Sequence, residues 1–405
     1  GRSIPTDGSQ VLDEDKIGVS CNLCHRMVDP IPDAENPAED TAILAALDQV
    51  PTDFGTGMFV VDPDAAARRG PFVDAASGHA ILVSPFHREA AICGTCHDVS
   101  NPAFSRDPSG EFLPNPFDTP AASFHPDSIM AVERTYSEWL HSAYNTPEGV
   151  YAPQFGGNKD FVATCQDCHM RDVTGQACNN AAAPVRSDLP LHDMTGGSTW
   201  LPGLLSDLHP TLVNDAAIQE GIVRARYMLE NAAELSLVAK DSLLTMRVTN
   251  NTGHKLPTGY PEGRRMWMNV QFFDNTDALI GESCAYDAAT GELGHDAEAK
   301  IYEIEPATKG IPGLPDGTLF HFVLNNTVLK DNRIPPRGFT NAAFAEFGGP
   351  PVGYAYADSQ YWDDSSYTVP AGATRAFVTL YYQSASKEFI EFLRDENTTD
   401  TKGQE

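Results

Sequence analysis

Two cysteines separated by two residues, with a histidine directly after the second, form a pattern that occurs three times in this chain of 405 residues. Two thiols at this spacing reach the two vinyl groups of one porphyrin, and the histidine then lies under its iron as the proximal ligand. Random placement of the eight cysteines and twelve histidines would produce roughly 0.005 such patterns, so three copies are a strong signal. The sequence therefore predicts three covalently attached haems c. Their cysteines are Cys21, Cys24, Cys93, Cys96, Cys165 and Cys168, and their proximal histidines are His25, His97 and His169.

Zinc binding and thiol redox chemistry are the alternatives for these cysteines. A structural zinc ion usually takes four ligands from two such pairs, and three pairs leave one pair over. A redox-active cysteine pair does not require a histidine directly after it, whereas all three copies have one. Both alternatives are weaker than haem attachment.

Each iron can take a second axial ligand, and nine further histidines are present. This excess favours bis-histidine coordination. His79 and His87 precede the second motif closely enough to reach a neighbouring haem, His192 lies in a glycine-rich loop, and His254 lies in a loop framed by glycine and proline. We predict that the distal ligands come from these four histidines.

Two cysteines, Cys178 and Cys284, lie outside the motifs. A disulfide between them would join the two halves of the chain in an oxidising compartment, and two free thiols are the alternative.

The composition changes near residue 210, because residues 1–210 hold 20 of the 30 prolines, nine of the twelve histidines and seven of the eight cysteines. We predict a loop-rich, haem-cored domain with few short helices over residues 1–212. Apolar residues at helical spacing predict a linking amphipathic helix over residues 213–236. Alternating apolar residues then predict a β-sandwich over residues 237–405, with strands around Met246, Val270, Phe322 and Val378.

The net charge of −29 makes nucleic acid a poor candidate partner, and the chain has no apolar run long enough to span a membrane. The first residues include neither an initiator methionine nor an apolar signal segment. This start is typical of a mature or excerpted form. The cysteines, which suit an oxidising compartment, lead us to expect an exported protein, located outside the cell or on its surface.

Several segments resemble secreted multihaem c-type cytochromes of the extracellular electron-transfer type. They are residues 93–102, 135–142, 165–170, 252–259, 264–267 and 331–336. The resemblance implies a loop-rich haem domain followed by a β-sandwich, bis-histidine haems, and His192 and His254 as distal ligands. Some members of this group polymerise into filaments, the cytochrome nanowires, in which one subunit donates an axial histidine to a haem of the next. The best-known filament subunits carry more haems than the three predicted here.

Three functions compete at this stage. The first is an electron carrier that exchanges electrons with partner cytochromes or extracellular acceptors. Such a carrier could also assemble with other copies of itself as the subunit of a filament. The second is a multihaem reductase with one open haem site, which needs a free distal face. The third is a surface adhesion or scaffold module, with which the glycosylation sequons at Asn250, Asn325 and Asn397 are compatible.

Overall fold

The computed structural model describes residues 18–398, except residues 33, 65, 118 and 120. Strands account for 29% and helices for 20% of the structure, so the fold is mixed. The start of the chain, on which the expectation of an exported mature form depends, lies outside the described residues. In the described part, no helix is both long enough and apolar enough to cross a membrane.

Short helices and very small sheets make up the first half of the chain. Its described helices are α1 (Cys21–Cys24), α2 (Ala38–Ala45), α3 (Ala91–Gly94), α4 (Thr135–Leu140), α5 (Pro153–Gly156), α6 (Cys165–His169) and α7 (Leu201–Leu208), with a 3₁₀ turn at Pro85–Arg88. Its strands are β1 (Met27–Val28), β2 (Val60–Val61), β3 (Ala67–Gly70), β4 (Ala80–Val83), β5 (Val99–Arg106), β6 (Phe112–Pro114), β7 (Ile129–Glu133), β8 (Val150–Tyr151), β9 (Phe161–Val162), β10 (Asp172–Gln176) and β11 (Val185–Pro190).

These strands form sheets of only two or three members. The pairs are β1–β2, β3–β4, β8–β9 and β10–β11, and β5 lies between β6 and β7. Frequent prolines limit such ladders, because proline has no backbone N–H to donate. The small sheets were not predicted, since most of their strands have only two to five residues, which is too few to show a clear alternation.

The predicted helix is present as α8 (Asp215–Ala232). The side chain of Asn214 accepts a hydrogen bond from Ala217 N at 3.1 Å and so caps the first turn. The helix buries Ile222 and Ala225. It ends four residues before the predicted boundary, because Ala233 adopts an extended conformation and begins the next strand.

Two antiparallel sheets share one core in the second half. One sheet has the order β12 (Ala233–Lys240), β13 (Leu243–Asn250) and β20 (Trp362–Thr368). The other contains β15 (Leu279–Ser283), β14 (Arg265–Phe273), β18 (Ile301–Ala307) and β19 (Thr327–Asp331), and β21 (Arg375–Gln383) also pairs with β14. The remaining elements are β16 (Tyr286–Asp287), β17 (Glu292–Leu293), α9 (Asn341–Glu346) and α10 (Lys387–Glu396).

The shared core contains Leu244, Met246 and Val248 from the first sheet, and Met268 and Val270 from the second. A core shared by two sheets is what a β-sandwich requires, and the sandwich itself stays a prediction. The division into separate domains stays a prediction.

One expected strand is absent. The segment around Phe320 and Phe322 forms a turn, and Phe320 has a positive φ of 65°. The Phe320 ring instead contacts Phe389 and Phe392 of α10, at centroid distances of 5.5 and 5.8 Å. Phe320 therefore packs a loop against a helix, and the alternating spacing of this segment does not distinguish such a loop from a short strand.

Candidate haem-attachment sites

All three cysteine–histidine motifs lie in helical turns. The first and third occupy α1 and α6, and the second spans the end of α3. The backbone N–H of His25 donates to Cys21 O at 3.0 Å, and that of His97 donates to Cys93 O at 2.9 Å. Residues three and four positions apart lie on the same side of a helix, so each turn presents its two thiols and its imidazole together. This is the arrangement that attachment to one porphyrin requires.

The imidazole of each motif histidine has its Nδ1 near an oxygen atom. His25 Nδ1 lies 2.7 Å from Arg69 O, and His169 Nδ1 lies 2.8 Å from Thr195 O. Because a carbonyl oxygen only accepts, Nδ1 must donate in both cases, which leaves the lone pair on Nε2. His97 Nδ1 lies 3.4 Å from Glu133 Oε1, and hydrogen bonding to this carboxylate raises the pKa of His97. The residues therefore fit haem iron, which binds a histidine through Nε2 when Nδ1 is held this way.

Arg69 on β3 is buried behind the first motif, with an exposed fraction of only 1%. Its guanidinium contacts Asp40 Oδ1 and Asp62 Oδ2, both at 2.6 Å. The pKa of Asp62 lies below its ordinary value, because Arg69 and neighbouring donors outweigh the effect of burial. These ion pairs hold in place the residue whose carbonyl oxygen orients His25.

We predict that Arg69→Met lowers the free energy of unfolding by about 3–5 kcal/mol, because it leaves two buried carboxylates without their cation. Urea unfolding of the haem-loaded protein measures this change. Arg247→Ala is the matched control, since its ion pair with Asp364 is exposed and should contribute at most about 1 kcal/mol. Equal effects of the two substitutions would contradict the prediction.

Two of the predicted distal histidines flank the first site. The ring centroids of His87 and His192 lie 5.7 and 6.1 Å from that of His25. A metal–imidazole bond is about 2 Å long, so two imidazoles on opposite sides of one metal have centroids about 6 Å apart. Both histidines therefore meet the distance requirement for a shared iron with His25.

The rings of His87 and His192 differ in the hydrogen bonds that they form. His87 Nε2 lies 2.8 Å from Cys24 O, and its Nδ1 lies 3.1 Å from Ser84 Oγ, so both ring nitrogens are occupied. Burial lowers the pKa of His87 to about 4. Among the described residues, none forms a hydrogen bond with the His192 ring. The geometry favours His192 as the second ligand at the first site.

His254 lies in the loop between β13 and β14. Its Nδ1 is 3.0 Å from Lys255 O and 3.2 Å from Thr252 Oγ1, so its Nε2 is left for a metal. The preceding residue, Gly253, lies against Trp139, whose Nε1 donates to Ala163 O at 2.8 Å. Ala163 lies two residues before the third motif. Burial lowers the pKa of His254 to about 4, and the nearby His169 contributes in the same direction. These contacts place His254 beside the third site.

His79 lies on the surface immediately before β4. Its Nδ1 is 3.0 Å from Ala80 O, which gives it the same tautomer as the motif histidines. No described contact connects it to one of the three motifs. Its assignment as a distal ligand stays a prediction.

The three attachment motifs lie close to one another. The thiols of Cys93 and Cys165 are within hydrogen-bonding reach, and this contact raises the pKa of Cys165 well above its ordinary value. The pKa of Cys24 is also raised, first by burial and then by the nearby Cys96 and Cys93. Motifs far apart in the sequence therefore converge in one region of the first half.

The predicted disulfide between Cys178 and Cys284 is not formed. Both are free thiols. Cys178 is exposed and its Sγ lies 3.2 Å from Ala76 O, whereas Cys284 is fully buried in a cluster with Trp267 and Ile301. Two sulfur atoms must approach to about 2 Å to form a bond, and these two occupy different surroundings. Cys178 and Cys284 are therefore two free thiols, which was the alternative to the predicted disulfide.

Sequence reasoning missed the partners that orient the motif histidines: Arg69, Glu133 and Thr195. Arg69 and Thr195 act through their carbonyl oxygens, which every residue type has, so no sequence signal marks them. Glu133 is the last residue of β7, and only the pairing of β7 with β5 brings it to His97, because Val99 lies opposite it. Throughout the described ranges, no three histidine, cysteine, aspartate or glutamate side chains converge as a metal-ion site would require.

No protein-family model matches this chain, and no curated protein sequence matches it. A solved structure that is similar to it is a penta-heme cytochrome c552 from Thermochromatium tepidum. The two are 14% identical in sequence, with a TM-score of 0.47, and the match covers 92% of this chain and 71% of the other. Similarity at this level supports no particular function. The evidence for a function is the attachment motifs and the geometry of the histidines.

Proposed function

We propose that this protein is a trihaem c-type cytochrome that transfers electrons between its haems and external partners. The observation that carries the proposal is the repeated arrangement of the motif histidines, each on a helical turn beside two cysteines with Nδ1 near an oxygen acceptor. When bound, haem c supplies one-electron oxidation and reduction at its iron.

The residues have separate roles in this proposal. Each cysteine pair would bind one porphyrin covalently, and His25, His97 and His169 would bind the irons through Nε2. His192 would supply the second ligand at the first site, and His254 would supply it at the third. At the first and third sites, two histidines on one iron would leave no face open to a small substrate, which favours electron transfer there over bond chemistry.

Convergence of the motifs supports transfer between haems. The contact between Cys93 and Cys165 places two attachment turns side by side, and Cys24 of the first turn lies near both cysteines of the second. Haems attached to these turns would lie near one another, as electron transfer between them requires. The net charge of −29 favours a cationic or basic redox partner.

The adhesion alternative loses part of its support. Asn250 and Asn325, which begin two of the three sequons, have exposed fractions of 1% and 3%. The amide of Asn250 donates to His254 O, Ile334 O and Pro335 O, so it is bonded inside the protein. Neither side chain is available for attachment of a glycan. Export and assembly into a filament stay predictions from the resemblance.

Haem content and spin state test the proposed function. We expect intact-protein mass spectrometry to find three covalent haems per chain, and electron paramagnetic resonance of the oxidised protein to show low-spin ferric signals. The protein should exchange electrons with a soluble redox mediator without consuming a small-molecule substrate. A strong high-spin ferric signal together with reduction of a nitrogen or sulfur oxyanion would instead support the reductase alternative.

A further inference from the structure

Four charged side chains are buried together where the first half meets the loop that carries His254. They are Glu138, Lys255, Asp331 and Arg333, with exposed fractions of 0%, 0%, 2% and 7%. Lys255 Nζ lies 2.6 Å from Asp331 Oδ2, and Arg333 donates to both Asp331 oxygens at 2.7 and 2.9 Å. Arg333 Nη1 also lies 3.3 Å from Glu138 Oε1. Two cationic and two anionic side chains therefore lie in contact with one another, and we call these four residues the buried charge cluster.

Glu138 is the member of this cluster that belongs to the first half. It lies on α4, and its Oε2 accepts hydrogen bonds from Lys255 N at 3.0 Å and from Thr258 Oγ1 at 2.6 Å. A single carboxylate thus binds both the main chain and a side chain of the His254 loop. Arg333 compensates its charge, so the carboxylate remains an acceptor although it is fully buried.

The peptide group between His254 and Lys255 is held at both ends. Its N–H donates to Glu138, and its carbonyl oxygen accepts from Asn250 Nδ2 at 2.8 Å and from Thr252 Oγ1 at 2.9 Å. The next residue, Leu256, exchanges two backbone hydrogen bonds with Ile334, at 2.9 and 3.1 Å. Because Lys255 O in turn contacts His254 Nδ1, the position of this main chain sets the orientation of the imidazole.

Helix α4 connects Glu138 to two attachment motifs. Tyr136 N donates to His97 O at 2.9 Å, and Ser137 Oγ donates to Asp98 Oδ2 at 2.6 Å, directly after the second motif. Trp139 Nε1 donates to Ala163 O, two residues before the third motif. Four consecutive residues of one short helix therefore bind the second motif and the residue after it, a residue just before the third motif, and the His254 loop.

We propose that Glu138 is a positioning residue that holds the His254 imidazole at the third haem site, acting through the backbone N–H of Lys255 and supported by the buried charge cluster. The inference rests on the proposed function, because it assumes that His254 binds the third iron. It assigns the buried charge cluster a role in ligand geometry in addition to any role in stability. Outer-shell partners of metal-binding histidines typically change the affinity of the site about 10–100-fold.

Glu138→Ala, Glu138→Asp and Glu138→Gln test the proposal in the haem-loaded protein. Alanine removes the acceptor, and aspartate keeps the charge for Arg333 but withdraws the oxygen from Lys255 N. Glutamine retains an uncharged acceptor of nearly the same shape. Glu148→Gln is the control, since Glu148 is exposed in the same half. The readout is carbon monoxide binding to the reduced protein, followed by absorbance, because carbon monoxide must displace the second axial ligand.

We expect carbon monoxide to bind one haem in three about 10–100-fold more tightly in Glu138→Ala and Glu138→Asp than in the unmodified protein. Glu138→Gln should largely keep the carbon monoxide affinity of the unmodified protein, because glutamine still accepts a hydrogen bond from Lys255 N. If only the buried charge mattered, glutamine would have the same effect as alanine. The aspartate variant keeps the experiment informative if the alanine variant does not fold. Unchanged carbon monoxide affinity in a folded Glu138→Asp protein would overturn the inference.

His254→Ala separates this inference from the proposed function. If His254→Ala exposes one haem to carbon monoxide and the folded Glu138 variants do not, His254 is a ligand but Glu138 does not position it. If His254→Ala leaves all haems unreactive, His254 is not a ligand, and both the assignment at the third site and the inference fail.

Discussion

Substitution of Cys165 and Cys168 together by alanine is expected to leave two covalent haems per chain instead of three. Both thioether links of the third site are lost, and the remaining ligands cannot hold the porphyrin through purification. Intact-protein mass spectrometry should show a deficit of one haem, and the haem absorbance per chain should fall by one third. The same substitutions in the other two motifs should give the same deficit.

Cys178→Ala and Cys284→Ala provide matched controls, because these cysteines lie outside the motifs and are free thiols. Neither should change the number of haems. Retention of three covalent haems by the Cys165 and Cys168 double variant would contradict the assignment of the third motif. Loss of a haem from the Cys178 variant would show that attachment involves a cysteine outside the three patterns.

Removal of the proposed second ligands is expected to convert one haem in three from low spin to high spin. His192→Ala should affect the first site, and His254→Ala should affect the third, because each substitution opens one iron to water or an added ligand. Electron paramagnetic resonance of the oxidised protein measures the new high-spin signal. Azide titration should show one newly accessible haem in each variant and two in the double variant.

His87→Ala distinguishes between the two candidates at the first site. Both ring nitrogens of His87 are within hydrogen-bonding distance of other atoms, so its removal should leave the iron low spin. His295→Ala is an exposed control from the second half. A high-spin haem in His87→Ala, with none in His192→Ala, would reverse our assignment at the first site.

Local patterns in the sequence predicted the features that depend on near neighbours. The three haem motifs depend on five consecutive residues each, because one helical turn brings both thiols and the histidine together. Helix α8 and strands β13, β14 and β21 were recognisable because their apolar residues recur at helical or alternating spacing. The segment around Phe320 shows the limit of this reasoning, since three alternating apolar residues fit a loop as well as a strand.

The predicted disulfide failed for a related reason. The count of two remaining cysteines, one in each half, was compatible with a bond between them. Whether the sulfur atoms meet depends on the path of the entire chain, which buries Cys284 against Trp267 and leaves Cys178 at the surface. Counting cysteines identifies possible pairs but contains no distance.

The sequence by itself determined which histidine follows each cysteine pair, and it predicted where three haems attach and which four histidines compete as second ligands. Only the tertiary structure favours His192 over His87, because it brings the carbonyl oxygen of Cys24, 63 positions earlier in the chain, to Nε2 of His87. It also brought Glu138 to the backbone of Lys255, 117 positions later in the chain. Covalent attachment depends on spacing within one turn, whereas the orientation of an imidazole depends on carbonyl and carboxylate groups that distant segments bring to it.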